Sequence, residues 1–143
     1  MRSALDGAIP FNKHVGLRVV EVGPGRGVVE LPDKPELQNH VGSQHAGGLF
    51  AAGEAASGGA FMGAFVEHLA GVTPLAKGAS ISYTKLARGP VTATGTLSED
   101  VDSLLGKLES DGRVEFPIEV SMSDGDGNVV AEMTVQWHVR KNA

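Results

Sequence analysis

The chain of 143 residues contains no cysteine, and only 5% of its residues are aromatic. The lack of cysteine excludes a disulfide framework, a thiolate metal site and a cysteine nucleophile. Basic residues are also few: 12 Lys and Arg stand against 17 Asp and Glu, for a formal net charge of −5. Since nucleic-acid binding needs a basic stripe on the surface, we expect no nucleic-acid partner.

The sequence also lacks a recognisable targeting segment. It begins MRSALDGAIPFNKH, without the apolar region of a secretory signal, so the cytoplasm is the expected compartment. Residues 46–66 imitate a transmembrane helix, with a GxxxG pattern at Gly59 and Gly63. Glu54 lies in the middle of that segment, and because charge inside a membrane is costly, we expect no membrane span.

Apolar and β-branched residues between turn signals, several of them in alternation, predict six β-strands. A turn at GPGR and another at GDGN indicate hairpins, and the predicted strands cover residues 17–22, 27–31, 79–87, 91–100, 113–124 and 129–141. In the last strand, one face is expected to be the core side and consists of Ala131, Met133, Val135, Trp137 and Val139. The opposite face consists of Val130, Glu132, Thr134, Gln136 and His138.

One long helix is predicted over residues 47–69, where strand alternation is absent, and Pro74 disfavours helical geometry just beyond it. Its many glycines each cost roughly 1 kcal/mol relative to alanine, so close approach of the sheet or of a ligand is expected to compensate. The order β-β-α-β-β-β-β predicts an α+β fold, with a curved antiparallel sheet around the helix.

Glu54 is the one carboxylate among the small and apolar side chains of residues 39–65. At 100° per residue it falls within about 60° of Phe50, Phe61 and Phe65, and therefore faces what the helix buries. A core arginine could pair with it, a sheet edge could leave it in solvent, or it could have a chemical task. The residues of the helix alone leave these possibilities open.

The segment NHVGSQHAGG leads into the helix and carries Asn39, Ser43, Gln44 and His45. One interpretation is ordinary N-capping and loop hydrogen bonding by Asn39 and His45. The other is chemical, because the free N–H groups of a helix start can stabilise developing negative charge. A carboxylate two turns further on could then act as a base or a nucleophile, which completes the parts of an acyl-transfer or hydrolysis site.

The same residues resemble the hotdog-fold acyl-CoA thioesterases of the PaaI-like group, close to its DUF4442 branch. In that group the motif N-x-x-G-x-x-H-G-G, followed by Asp or Glu, opens the central helix. The matching residues here are Asn39, Gly42, His45, Ala46, Gly47 and then Glu54. SISYTKLARGPVTATGTL resembles the strand pair that follows, and the likeness covers residues from about 12 to 140. It implies a single hotdog domain over residues 1–143.

The resemblance implies a thioesterase that needs no cofactor, with coenzyme A entering as part of the substrate. Glu54 would be the catalytic carboxylate, as base or as nucleophile. The Ala46 N–H would polarise the thioester oxygen, and Asn39 would position water or the carboxylate. His45 would orient the loop or hydrogen-bond the thioester end.

The resemblance also implies a homodimer or homotetramer, because the helix start of one subunit meets the carboxylate of another. Two departures from the motif concern the site itself. Ala46 stands where the group has glycine, and Glu54 is one methylene longer than the common aspartate. Some relatives also use a side-chain hydroxyl lower down the site. The spacing puts Val72 at that position, with Thr73 beside it, so the hydroxyl has no clear counterpart here.

Further residues are predicted to contact the substrate. Along the helix these are Gly47, Phe50, Ser57 and Phe61, and the scarcity of bulky polar groups there favours an aromatic or medium aliphatic acyl group. Lys85 and Arg88 are candidates for the phosphates of coenzyme A, the alternative being solvated charges at a strand end. No metal site is expected, because the histidines are dispersed along the chain.

Two other functions stay open at this point. The first is a hotdog protein that binds an acyl-CoA without turning it over. The second is a hotdog dehydratase, whose chemistry needs a paired His and Asp on different elements. His45 with Glu54 does not match that motif, so hydrolysis is the favoured hypothesis.

Overall fold

The computed structural model describes residues 7–143. Residues 1–6, which begin the segment that lacks a secretory signal pattern, lie outside the described residues. The elements in chain order are α1 (Pro10–Val15), β1 (Arg18–Gly23), β2 (Arg26–Leu31), α2 (Ala46–Ala64), β3 (Val72–Tyr83), β4 (Val91–Thr96), α3 (Val101–Asp111), β5 (Arg113–Ser123) and β6 (Val129–Lys141). Short 3-10 turns at Pro35–Leu37 and Leu69–Gly71 precede α2 and β3.

The six strands form one antiparallel sheet in the order β1-β2-β4-β5-β6-β3, and the sheet does not close. Its concave face packs around α2, which contacts β1, β2, β4, β5 and β6. Within residues 7–143, β3 pairs only with β6, so its other edge lies open. The predicted α+β architecture, with a curved sheet around one long helix, is confirmed.

Glycines allow α2 to lie directly on the sheet. A methyl group at Gly95 in β4 would lie 2.7 Å from the carbonyl oxygen of Ala56, and one at Gly27 in β2 would meet the same oxygen. On the helix side, a methyl group at Gly63 would meet the backbone of Gly23. The close approach that was expected to compensate for the helical glycines is therefore present.

The apolar face of β6 is buried as predicted. Its five core residues are at most 7% exposed, and Trp137 is stacked nearly parallel to Phe61 of α2, with ring centroids 5.7 Å apart. Val130 was assigned to the polar face but is fully buried. The reason is an irregularity in the β5–β6 ladder, where Ser123 pairs with Val129 and Met122 pairs with Ala131, which breaks the alternation at Val130.

The boundaries between α2 and β4 differ from the prediction. The helix ends at Ala64 and not at 69, and β3 runs from Val72 to Tyr83 and not from 79 to 87. Pro74, read as a helix stop, lies inside β3. Proline is tolerated there because β3 is an edge strand with one side free of ladder hydrogen bonds. The strand predicted over 91–100 ends at Thr96.

Two helices were missed by the sequence analysis. α3 follows β4 directly: the Asp100 side chain accepts the N–H of Ser103 at 3.1 Å, and Gly112 ends the helix at φ +77°. Leu104 and Leu108, four residues apart, bury one face of it. This is an ordinary capped amphipathic helix, and the acidic cap was its available signal. α1 has only six residues, too few for a periodicity to be recognised.

No helix within residues 7–143 is both long enough and apolar enough to cross a membrane.

The contact between Gly95 and α2 predicts a specific stability defect. Gly95→Ala forces a methyl group against the Ala56 carbonyl, and since neither backbone can yield, we expect a loss of about 2 kcal/mol in the free energy of unfolding. The matched control is Gly23→Ala in β1, where the methyl group meets nothing within 4 Å. Urea unfolding should place the control within about 0.5 kcal/mol of the wild type. Equal losses in the two variants would contradict this account of the contact.

Candidate functional site

The start of α2 is capped by its own N-terminal neighbour. His45 has extended backbone geometry, and its Nδ1 accepts the N–H of Gly47 at 2.8 Å. A neutral His45 therefore carries its proton on Nε2. The N–H of Ala46, at the first helical position, has no hydrogen-bond acceptor within residues 7–143. Because Ala46 is exposed, this N–H can meet a partner from outside the chain.

The loop before α2 is held by Asn39. Its side-chain oxygen accepts the N–H groups of Val41 and Ser43, each at 3.0 Å, and its amide nitrogen donates to Ser43 Oγ at 2.8 Å. Both ends of the side chain are thus engaged within the loop. Asn39 thereby fixes the backbone that presents the helix start.

Gln44 anchors the same loop to the body of the protein. It is 4% exposed, and its side-chain nitrogen donates to the carbonyls of Pro32 at 3.0 Å and Gly89 at 2.9 Å. Its backbone N–H donates to the carbonyl of Ala87 at 2.8 Å. Three separate segments are therefore joined immediately before His45, so the direction of the first helical N–H groups is set by the fold.

Glu54 is half-buried and faces a cavity of about 400 Å³. Within residues 7–143 its carboxylate has neither an ion-pair partner nor a hydrogen-bond partner. The core arginine considered from the sequence is therefore not its partner. The cavity lies where the two ends of the curved sheet leave α2 uncovered, and it is lined by Ile9, Asn12, Val19, Glu21, Val28, Val29, Glu54, Ala55, Gly58, Gly59, Phe61, Met62, Leu69, Pro74 and Trp137.

Burial in this apolar cavity raises the pKa of the Glu54 carboxyl above its ordinary value. Desolvation is the cause, because water stabilises the charged form and the cavity wall does not. A carboxylate with a raised pKa binds a proton more tightly than an ordinary one, so it can keep the proton that it removes from a reactant. This is the property required of a general base that works near neutral pH.

Glu54 and Ala46 lie far apart along α2. They are separated by eight residues of the same helix, which at 1.5 Å per residue places their backbones about 12 Å apart. A reacting carbonyl must lie about 3 Å from both the oxyanion donor and the attacking group. The rise of α2 between the two backbones is larger than this spacing.

The other predicted site residues fall into separate groups. Phe61 lines the cavity beside Glu54, whereas Phe50, which was expected on the same buried stripe, is 37% exposed. Ser57 is fully buried, and its hydroxyl donates to the Glu54 carbonyl at 2.7 Å and accepts Trp137 Nε1–H at 3.1 Å.

Gly47 and His45 line a second, smaller cavity of about 240 Å³ at the helix start. Arg88 lies against the Asn39 loop, with its guanidinium 3.4 Å from the carbonyl oxygen of Gly42. Lys85 donates to Asn128 Oδ1 at 3.2 Å, at the turn between β5 and β6. Lys85 and Arg88 are both exposed.

Two residues near the site were not identified from the sequence. Asn12 of α1 lines the cavity of Glu54, and Tyr83 at the end of β3 donates its hydroxyl to the carbonyl of Ala46 at 3.2 Å. Asn12 gave no signal, because the helix that carries it is short. Tyr83 belongs to the segment SISYTKLA, but its reach to the helix start depends on the pairing of β3 with β6.

Metal ligands do not converge anywhere in the part of the chain that the structure describes. No three His, Asp or Glu side chains come close enough together there to hold an ion.

Comparison with known proteins gives one matching family and several similar solved structures. The profile of a domain of unknown function, DUF4442, matches residues 1–139. A comparison with curated proteins gave no match.

Among solved structures, the chain is similar to PA5026 of Pseudomonas aeruginosa, described as a probable thioesterase, with 27% identity and a TM-score of 0.89 over 99% of this chain and 93% of that one. It is also similar to PaaI of E. coli, with 16% identity and a TM-score of 0.75 over 99% and 90% of the two chains. A mutant form of the Staphylococcus aureus thioesterase SAV0944 shows 17% identity and a TM-score of 0.75 over 92% and 99%. The predicted hotdog fold is confirmed.

The raised pKa of Glu54 predicts how stability depends on pH. The folded state binds a proton at Glu54 more tightly than the unfolded state, so the free energy of unfolding falls as pH rises from the ordinary carboxyl pKa through the raised one. Glu54→Gln removes the free-energy cost of burying a charged carboxylate. The variant should therefore be more stable than the wild type at about pH 7, and the difference should shrink at about pH 4.

Urea unfolding at the two pH values checks this prediction. The matched control, Glu99→Gln at an exposed position, should change the free energy of unfolding by less than about 0.5 kcal/mol at either pH. A Glu54→Gln variant that gains nothing at neutral pH would show that the carboxylate is well solvated.

Proposed function

This chain belongs to the DUF4442 family, and we propose that it hydrolyses acyl-CoA thioesters to a free acid and coenzyme A, with Glu54 as the catalytic carboxylate. The observation that carries the proposal is the state of Glu54. It faces an apolar cavity with no partner among the described residues, and burial raises its pKa. A structural carboxylate would be paired, because an unpaired one destabilises the fold. The likeness to PA5026, described as a probable thioesterase, supports the same reaction.

The proposed site lies between two copies of the chain. The separation of about 12 Å between the backbones of Glu54 and Ala46 along α2 favours this arrangement if both act on one carbonyl. The open edge of β3 supports it, because almost the whole strand is exposed, including Leu75 at 57% and Tyr83 at 47%. An unpaired edge strand of this length is a template for pairing with another chain. We therefore propose a homodimer, alone or within a homotetramer, as the active form.

In the proposed reaction the thioester oxygen accepts the N–H of Ala46. Attack on the carbonyl carbon places a negative charge on that oxygen, which the N–H and the positive end of the α2 dipole stabilise. If Glu54 acts as a base, it takes a proton from water, the hydroxide attacks, and the C–S bond breaks. The proton held by Glu54 then passes to the departing thiolate.

If Glu54 acts as a nucleophile, its oxygen bonds to the carbonyl carbon and the thiolate leaves, which forms a mixed anhydride. Water then cleaves the anhydride, releases the acid and restores the carboxylate. Both routes consume one water and yield one acid and one thiol. No cofactor is needed in either, because the thioester is already activated.

The remaining site residues have supporting roles in this proposal. His45 and Asn39 keep the helix start in position through the hydrogen bonds described above. Asn39 was predicted to position water or the carboxylate, and because both ends of its side chain are engaged within the loop, its proposed role is to fix the backbone there. Lys85 and Arg88 are exposed and are proposed to bind the phosphates of coenzyme A. The proposed substrate contacts are completed by Gly47 and Phe50. Ser57 was predicted to be a further contact, but it is fully buried and its hydroxyl is bonded to the Glu54 carbonyl and Trp137, so it supports α2 beside Glu54 instead.

Glu54→Ala is the first test of this function. With thiol release measured over a panel of acyl-CoA substrates, we expect kcat/KM to fall at least about a hundredfold, because a base or nucleophile is lost. Glu99→Ala, an exposed carboxylate outside the site, is the control and should keep wild-type activity. Circular dichroism would verify that both variants fold. If the wild type cleaves nothing but is stabilised thermally by acyl-CoA, the protein is a binding protein and the hydrolase proposal fails.

Ala46→Pro tests the oxyanion donor without disturbing the helix. Proline lacks the N–H but is well accepted at the first helical position, and His45 before it already has the extended geometry that proline requires. We expect kcat to fall about a hundredfold or more, with little change in thermal stability.

Mixing the two inactive variants then tests the shared site. A dimer formed from one Glu54→Ala chain and one Ala46→Pro chain has one site with both substitutions and one intact site. After subunit exchange, activity should return to about a quarter of the wild-type value, because half of the dimers are mixed. No recovery, with exchange verified by mass spectrometry, would place both groups in one chain and overturn the proposed arrangement.

A further inference from the structure

The cavity that Glu54 faces has a lining that indicates which acyl group the site accepts. We infer that it is the acyl-binding pocket and that it takes an unsubstituted, medium-length aliphatic chain. This inference rests on the proposed function, since Glu54 must lie at the thioester end of the bound group. It goes beyond that function because it assigns the substrate class from the walls of the cavity.

The walls are apolar almost throughout. The exceptions are three side chains, Glu54, Asn12 and Glu21. Glu21 is half-exposed and paired with Arg26 at 2.9 Å, which places it at the rim. Away from Asn12, a hydroxylated or charged acyl group would leave its polar atoms unpaired against the aliphatic walls, at a cost that an apolar chain avoids.

The size of the cavity favours a chain over a small group. Its volume is about 400 Å³. If a methylene needs about as much room as a water molecule in the liquid, about 30 Å³, the cavity holds about a dozen. By the same measure an acetyl group would leave most of it unfilled, and a benzoyl group would leave about half. The expected optimum therefore lies between octanoyl and dodecanoyl.

Gly58 of α2 helps to make this room. Gly58, one turn beyond Glu54, lines the cavity, and a methyl group there would have its nearest contact at 3.9 Å, with the ring of Trp137. Gly59 beside it packs against Gly27 of the sheet. The two adjacent glycines thus serve different purposes, since one lets the sheet approach and the other leaves space for a ligand.

The first experiment measures binding without turnover. Trp137 is the single tryptophan of the chain and lines the cavity, so its fluorescence reports occupancy. Thioether analogues of acyl-CoA, from acetyl to palmitoyl, would be titrated into the full-length protein. We expect Kd to fall about fourfold per methylene, corresponding to about 0.8 kcal/mol, until the cavity is full, with a fluorescence change that grows in parallel.

A matched pair of variants locates the effect. Gly58→Leu fills the cavity from within α2, and because leucine is the better helix former, the fold should be kept. It should weaken binding of the dodecanoyl analogue at least about tenfold and leave the butanoyl analogue within about twofold. Gly106→Leu in α3, where an added methyl group meets nothing within 4 Å, should change neither. Gly58→Ala is the milder substitution if the leucine variant fails to fold.

The outcomes separate this inference from the proposed function. Chain-length-dependent binding without hydrolysis by the wild type would support the pocket and refute the hydrolase. Hydrolysis that does not depend on chain length, or dodecanoyl binding unaffected in Gly58→Leu, would overturn the pocket and leave the hydrolase standing. Preference for an aryl or hydroxylated acyl group over every aliphatic chain would also overturn it.

Discussion

The direct contact between the glycines of the sheet and the backbone of α2 is the constraint on which the rest of the structure depends. Gly27 and Gly95 let two strands lie against the Ala56 carbonyl, and Gly63 does the same against β1. Because the helix lies this deep, the sheet must bend around it. The two ends of the sheet leave one side of α2 uncovered. That side carries Glu54, so the packing that stabilises the core also creates the cavity in front of the carboxylate.

Glu54 destabilises the fold in this position, and the structure offers nothing within the described residues to offset its desolvation. An unpaired, half-buried carboxylate is typical of sites where chemistry takes precedence over stability. The helix start has a similar character, since the hydrogen bonds of His45, Asn39 and Gln44 fix its backbone and leave the Ala46 N–H available. In one chain these two features are about two helical turns apart, and each is half of a proposed site.

Much of this could be predicted from the sequence. The hairpin of β1 and β2, the core face of β6 and the role of the helical glycines followed from periodicity and turn residues, because those signals are local. The extent of β3 could not be predicted, because the tolerance of Pro74 depends on β3 lying at the sheet edge. The motif from Asn39 to Glu54 indicated the site, but the lack of a partner for Glu54 and the presence of Asn12 in its cavity depend on tertiary contacts.

The irregular first half of β3 limits how two copies of this chain could pair edge to edge through this strand. Pro74 and the break in register between Ala76 and Gly78 interrupt the regular edge, and Gly78–Tyr83 continues it. A second copy that aligns its own Gly78–Tyr83 antiparallel to this segment uses up the regular edge of both chains at once. Such a pair is closed at this edge, with no regular stretch of β3 left for a third strand.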